Sequence, residues 1–450
     1  MNHKFIVSWR SLILSLLAIA LPGTVSAQTN YYWQTIATSV TASGGPQGVG
    51  VDPVGDLFIA NTSDNTILKA TPVGTNWIIT TIAGGAQGPL DGTNNGAQFY
   101  GPFSLAVQDS STLYVADSVN NAIREVQLIG TNWVVTTIAG ICAPGGSGFR
   151  DGTNQYAQFS GPNGITLDRQ GNLYVADTYN HVIREIRPSG TNWITTTIVG
   201  AGSPSSGPGP IDGTNQNAQF DAPYDVTADA EGKLFVADYG DNAVCEVVPM
   251  GTNWVMTTIS GGSGQGLGSF SDGTNLDAQF AGPTSIAVDG LDNVYVADLY
   301  NNAIRKISPA GGTNWLTTTI GGASTGGGSA SNGGLVDGTN AVAEFNGPNG
   351  VAVDLSGNIY IGDTGNNALR VGYLFPPSLN LVLAGNQATV SYPASLGTNF
   401  GFVVQATTNI GNPVWVTATN RWLLTTNSIP FNVFTVTNKV PSRYFRLQMP

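Results

Sequence analysis

The chain of 450 residues is short of the groups that most enzymes rely on. It holds two histidines and two cysteines, and only 10% of it is charged. Its first residues, "MNHKFIVSWRSLILSLLAIALPGTVSA", combine a basic start, an apolar run from Leu12 to Leu21 and the small-residue end Val25-Ser26-Ala27. That pattern predicts a secretory signal peptide over 1–27, cut before Gln28. One histidine, His181, then remains. A histidine-built zinc site is thereby excluded, and a Ser-His-Asp triad has to use His181. Cys142 and Cys245 have no histidine beside them in sequence, so a thiol nucleophile is unsupported. Export permits a disulfide between them, but their spacing does not show one. Nucleophile-elbow, P-loop and EF-hand motifs are missing from the mature chain.

Basic charge is also scarce. Lys and Arg number 16 against 28 Asp and Glu, a net charge of -12. Losing Lys4 and Arg10 with the leader takes it to about -14. Nucleic-acid binding needs a basic footprint, and none is present. After the leader no run is apolar enough to span a membrane. The reading is an exported protein, periplasmic or extracellular, with no nucleic-acid partner and no membrane span. No segment beyond the leader sustains a helical period.

What the chain does have is repetition. "LFIANTSDNTIL", "LYVADSVNNAIR", "LYVADTYNHVIR", "LFVADYGDNAVC", "VYVADLYNNAIR" and "IYIGDTGNNALR" recur about every sixty residues. Each unit resolves into four short strands, as in "GPNGITLD", "NLYVAD", "VIREI" and "NWITTTIVG" of unit three. The strands are rich in Val, Ile, Thr, Tyr and Trp and are bounded by Gly, Pro, Asn and Asp. Radially repeated four-stranded units make a β-propeller. A two-residue turn at Asn180-His181 places Asp177 directly opposite Arg184, and likewise Asp117 opposite Arg124, Asp298 opposite Arg305 and Asp363 opposite Arg370. Unit one loses both partners, with Asn61 facing Leu68.

The pattern G-P-x-G-[IV]-A-V-D followed by G-N-[LI]-Y-[VI]-A-D-x-x-N-N-x-I-R resembles the NHL repeat family, over roughly residues 31 to 375. The resemblance implies tandem propeller blades, usually with ligands on one face, and no particular chemistry. Five fourth strands carry Trp77, Trp133, Trp193, Trp254 and Trp315, and unit six lacks one. "YYWQTIATSV", with Trp33 in the tryptophan place, is expected to complete blade six and close the ring. The expected architecture is all-β: a six-bladed β-propeller over 28–375, blade six closed by the N-terminal strand, then a small β-sandwich over 376–450. That tail reads as six or seven short strands. Its "PVW" and "RYFRLQ" resemble a C-terminal module common in exported proteins of some environmental bacteria.

The five "DGTN" copies, from Asp91, Asp151, Asp212, Asp272 and Asp337, read as turns whose Asp accepts local backbone N–H groups. His181 reads as a turn residue in left-handed geometry. The inner strands start differently in every blade, with Gln47, Phe103, Asn163, Tyr224, Thr284 and Asn349, which should ring the mouth of the channel. Tyr179, Tyr239 and Tyr300 crown hairpins on the same face, and Asp225 follows Tyr224. Aromatic and amide groups there suit a sugar or peptide, and the partner is a protein, peptide or glycan. Blade four has Asp221, Asp225, Asp238 and Asp241 on that face, with Cys245 where an arginine is expected. An oxygen-rich cluster of this kind favours calcium, the one metal the sequence offers; no other cofactor is indicated. Two function classes fit. One is a non-catalytic exported binding protein, with the propeller as platform. The other is a calcium-dependent lactonase or gluconolactonase-like hydrolase at the channel mouth, which needs at least two carboxylates there.

Overall fold

Six antiparallel sheets stand around a central channel, each with its first strand innermost. The computed structural model describes residues 31–374 apart from 75, 143–145, 204–208, 263–269, 323–332 and 341, and the backbone of six strands between 380 and 448. The expected leader lies outside the described residues. In blade three the strands are Pro162–Leu167, Leu173–Asp177, Val182–Ser189 and Asn192–Val199. Every residue of Leu173–Asp177 is buried, because a blade packs against a neighbour on each face. Among the described residues no helix is long and apolar enough to cross a membrane.

The N-terminal strand Tyr31–Thr38 lies between Gly338–Thr339 and Ala368–Leu374 in the sheet of blade six, so the first strand of the propeller closes its last blade. Its register corrects the sequence alignment by two residues. Tyr31 holds the tryptophan place: it meets Tyr295 edge-on at 6.3 Å, as Trp315 meets Phe235 at 5.7 Å and Trp193 meets Tyr114 at 5.7 Å. Trp33 pairs with Gly338 as Thr195 pairs with Gly152. The indole is fully buried, donates to the Ile320 carbonyl at 2.7 Å and lies edge-on to Phe345. Gly321 and Gly372 make room for it, since a Cβ on either would come within 2.7 Å of the ring. Blade three has Val199 and Ile186 at those two places.

A second correction concerns the hairpin after each second strand. The connection in blade three is a 3-10 turn, Thr178–Asn180, closed by His181 in the left-handed region at φ 56°. Asp177 therefore faces Val182, and Arg184 faces Val175. In blade one Asn61 faces Thr66 and Ile59 faces Leu68. The Asp–Arg pairs still form, along the diagonal of one sheet face. Arg124, Arg184, Arg305 and Arg370 each reach the Asp seven residues earlier at 2.7 to 2.9 Å, and all eight side chains are fully buried.

The "DGTN" segments are the other half of that arrangement, and they are more than local turns. Gly152–Thr153 adds a fifth strand to the outer edge of blade three, which covers an edge that would otherwise invite pairing. Asp151 accepts Arg184 Nη2 at 2.9 Å and the Thr197 hydroxyl at 2.9 Å. Asn154 accepts the Trp193 N–H at 2.7 Å. Phe159, from the "AQF" run that follows, lies under the guanidinium at 5.0 Å. Each arginine thus ties two aspartates and two carbonyls to an aromatic ring. Among the described residues blade one has a four-stranded sheet with no fifth-strand segment, and it lacks the arginine as well. There Asn61 donates instead to Asp64 and Thr66.

Leu374–Pro450 falls in a separate compact unit. Its described strands form two antiparallel three-stranded sheets. One joins Asn380–Ala384, Gln387–Pro393 and Phe431–Thr437. The other joins Val416–Thr417, Val403–Thr407 and Tyr444–Gln448.

Candidate functional site

Five of the six inner strands carry a register shift at their starts, blade one being regular. In blade four Pro223 pairs with Asp238 and Asp225 with Ala237, so Tyr224 is left out of the ladder. Blades five and six skip Thr284 and Asn349 in the same way, and blade two skips Phe103. A bulge of this kind re-aims one side chain. Five of the six variable residues of the sequence, all but Gln47, fall at these shifts, a point that alternation alone does not reveal.

Four rings from three blades meet as a result. Phe103 of blade two lies edge-on to Tyr224 of blade four at 5.3 Å. Tyr224 stacks on Tyr239 at 4.7 Å and 24°. The Tyr239 and Tyr300 hydroxyls are 2.7 Å apart. Phe103, Tyr224 and Tyr239 are half-buried and Tyr300 is more open. Tyr179 stands beside them, 67% exposed, with its ring over Gly161. That glycine has φ +57°, and a Cβ there would come within 2.5 Å of the Tyr179 ring. Burial raises the Tyr224 phenol, with Tyr179 and Tyr300 adding to it. The remaining expected mouth residues divide. Asn163 is buried and accepts the Ser118 hydroxyl at 2.7 Å, and Thr284 is buried against the Asn349 carbonyl at 3.2 Å. Gln47 and Asn349 are half-buried.

Below the ridge is a channel of about 190 Å³, lined by inner-strand residues that include Ser104, Thr166, Asp225, Thr227 and Ser285. Asp225 is the one carboxylate among those lining residues. It spans two blades, accepting the Ser285 hydroxyl at 2.7 Å and the Ile286 N–H at 3.1 Å. Ser285 in turn accepts the Val351 N–H of blade six at 3.2 Å. Burial pushes Asp225 up to about 7, against the pull of these donors.

The four aspartates considered for calcium do not gather. Asp225 is committed to blade five. Asp221, Asp238 and Asp241 do adjoin one another: Asp238 accepts the Asp221 N–H at 3.0 Å. Burial, with Asp241 and Asp221 near, raises Asp238 well above the usual carboxylate range. His181 has a role that the sequence reading missed. Its Nδ1 accepts the Ala222 N–H at 3.0 Å and is 3.5 Å from Asp221. Asn121, Asn242 and Asn302 use their side-chain oxygens in the same way, each holding the Gly that opens the next blade. The repeated asparagine carried that signal, since left-handed geometry alone does not fix what the side chain does. Cys142 and Cys245 are both free thiols.

The blade pattern matches the NHL repeat at residues 159–185, 280–307 and 345–371. The chain carries NHL repeats. This NHL propeller is 27% identical over 381 residues to NHL repeat-containing protein 2 of Bos taurus, covering 78% of this chain and 50% of that protein. It is 27% identical over 335 residues to the chloroplastic protein Suppressor of quenching 1 of Arabidopsis thaliana, covering 72% of this chain and 30% of that one. The chain thus spans half or less of these curated relatives. Among solved structures, an auxiliary nutrient binding protein from Bacteroides thetaiotaomicron superposes with a TM-score of 0.54 at 14% identity, covering 77% of each chain. A protein of unknown function from the same organism gives 0.53 at 17%, covering 76% of this chain and 75% of that one. At such identities the likeness is one of fold.

Proposed function

We propose that this is a non-catalytic, exported binding protein whose ligand, a neutral carbohydrate, lies along the ridge of Phe103, Tyr224, Tyr239 and Tyr300. The ridge itself carries the reading. Flat, partly exposed rings support the apolar face of a sugar ring, and phenol hydroxyls at their edges hydrogen-bond its hydroxyls. The ring faces carry no charge, which favours an uncharged ligand. Asp225, the channel carboxylate, is occupied by Ser285 and Ile286, so the ridge and not the channel supports the reading. The described function of the Bacteroides propeller, nutrient binding, is compatible with it. Export rests on the N-terminal leader pattern. The C-terminal unit, read as a small β-sandwich, serves as anchor or second binder.

The test is titration of the full chain with neutral oligosaccharides and with peptides, followed by tyrosine fluorescence. Oligosaccharide binding should weaken at least about tenfold in Tyr224→Ala and in Tyr239→Ala, with the melting temperature little changed. Binding that survives in the double variant, or binding of peptides alone, overturns the proposal. Calcium-dependent turnover of a lactone panel would replace it with the hydrolase reading.

A further inference from the structure

Five blades share one frame, and four of them use it to hold a guanidinium. Arg124, Arg184, Arg305 and Arg370 each place Nη1 on the buried Asp and on the backbone oxygen of residue 98, 158, 279 or 344. Nη2 lies on the connector Asp and on the backbone oxygen of residue 90, 150, 271 or 336. All sixteen contacts lie between 2.6 and 3.1 Å. Phe99, Phe159, Phe280 and Phe345 lie against the guanidinium carbons at 4.6 to 5.2 Å.

Blade four keeps this frame but has Cys245 in the arginine place. Gly213–Thr214 pairs with Met256 and Val255, as Gly152–Thr153 pairs with Thr195 and Ile194. Asp212 accepts the Thr258 hydroxyl at 2.7 Å, matching Asp151 and Thr197. Ile211 bridges Gln219 as Arg150 bridges Gln158. Asp238 is fully buried and accepts the Asp221 N–H, as Asp177 accepts that of Ser160. Phe220 is buried in the place of Phe159. The Cys245 thiol stops at Thr258, 4.0 Å away. Among the described residues no cationic side chain reaches these oxygens.

We propose that blade four binds a small guanidinium cation, held by Asp238 Oδ2, Asp212 Oδ1 and the carbonyl oxygens of Gln219 and Ile211 over the ring of Phe220. The four sibling blades show what this constellation ligates: a planar cation with two parallel N–H edges. A spherical metal ion fits less well, because in the sibling blades the equivalent acceptors divide between two nitrogens. Entry is beside Asp212, which is exposed.

The test uses the full chain. Thermal melts are run with up to about 10 mM guanidinium chloride or agmatine, against sodium and potassium chloride at equal ionic strength; a ligand of the native state raises the melting temperature saturably. The wild type should respond to guanidinium. Agmatine responding as well means the site also takes an alkyl-borne guanidinium, as on a side chain; guanidinium responding alone means the small ion is the ligand. Cys245→Arg should melt higher without additive and lose the response. Asp212→Asn, should Cys245→Arg not fold, should weaken the response several-fold. Arg184→Cys recreates the frame in blade three and should melt lower, then recover in guanidinium. A flat wild-type response, an equal response to sodium or potassium, or a response undiminished in Cys245→Arg or Asp212→Asn overturns the proposal. Rescue of Arg184→Cys alone does the same, since it shows that the frame can bind but blade four does not.

Discussion

Blade three and blade four have the same strands, the same fifth-strand connector and the same buried aspartate, and they neutralise that aspartate differently. In blade three Arg184 supplies a full positive charge, and Asn180 donates to Asp177 at 2.8 Å. In blade four a thiol stands for the arginine and Asp241 for the asparagine, so two carboxyl groups meet where a cation and an amide do elsewhere. Without a bound cation, burial and the carboxylates of Asp241 and Asp221 then favour the protonated form of Asp238. The propeller tolerates both solutions because the frame is built from backbone pairing, while the charge at its centre is a local choice. Blade four is also the blade that contributes Tyr224 and Tyr239 to the ridge. The break in the repeat and the aromatic site coincide.

Removing the cation from blade three is the most damaging change. Arg184→Ala leaves Asp177 buried without its charge partner, and should cost about 3–5 kcal/mol in chemical denaturation. Cys245→Ala in blade four removes no charge partner and should cost about 1 kcal/mol or less. Equal costs would show that the guanidinium contributes packing only. Trp33→Ala extends the contrast to blade six, where an indole sits between two glycines. It should cost about 3–5 kcal/mol, because Gly321 and Gly372 offer no side chain to fill the hole. A cost below about 1 kcal/mol would place the indole at the surface.

The third contrast is in pH. A carboxyl group whose folded pKa is raised gives stability that is full below its unfolded pKa, near 3.9, and lost as pH rises through the folded one. Asp238 and Asp225 are both raised, Asp225 to about 7, so wild-type melting temperature should fall between pH 5 and pH 8. Asp241→Asn restores the sibling donor and removes one carboxylate facing Asp238, leaving Asp221 and the Cys245 thiol beside it. That variant should lose part of the slope, and Asp225→Asn the part that is complete by about pH 7. Slopes identical to wild type in both would show that neither carboxyl carries the titration. The smallest effect belongs to His181. Burial lowers its pKa against the opposing pull of Asp221, so the stability it gives is present above its unfolded pKa, near 6.5, and lost as pH falls through the folded one. His181→Asn should be neutral at pH 8 and gain about 0.5–1 kcal/mol relative to wild type at pH 5. No difference between the two pH values would mean that the Ala222 N–H bond survives protonation.

Much of this was legible in the chain. The sixty-residue period, four strands per unit and the missing sixth outer strand dictate six blades and a closing N-terminal strand, because each blade buries its faces only against another. The salt bridges were legible as residue pairs but not as geometry. A two-residue and a four-residue hairpin share the same letters, and only the backbone shows that Asp177 faces Val182. Trp33 was misplaced by two residues for a similar reason: identity favoured matching tryptophan to tryptophan, whereas volume, with Gly321 and Gly372 opposite, placed it elsewhere. Of the ridge, Phe103, Tyr224, Tyr239 and Tyr300 could be named from sequence as residues of one face. Their contacts depend on bulges and on blades 121 residues apart in the chain, from Phe103 to Tyr224.

Fold class, blade count, ring closure and the identity of the odd blade are written in the chain, since all of these follow from period, pattern and departures from pattern. Which side chains meet is set by three-dimensional packing: Asp151 and Asp177 share one arginine, Asp225 is held by Ser285, and four rings from three blades form one ridge. Periodicity fixes the backbone ladder, whose hydrogen bonds are local and repeat. Side-chain contacts depend on bulges, diagonals and volumes, which no repeat specifies.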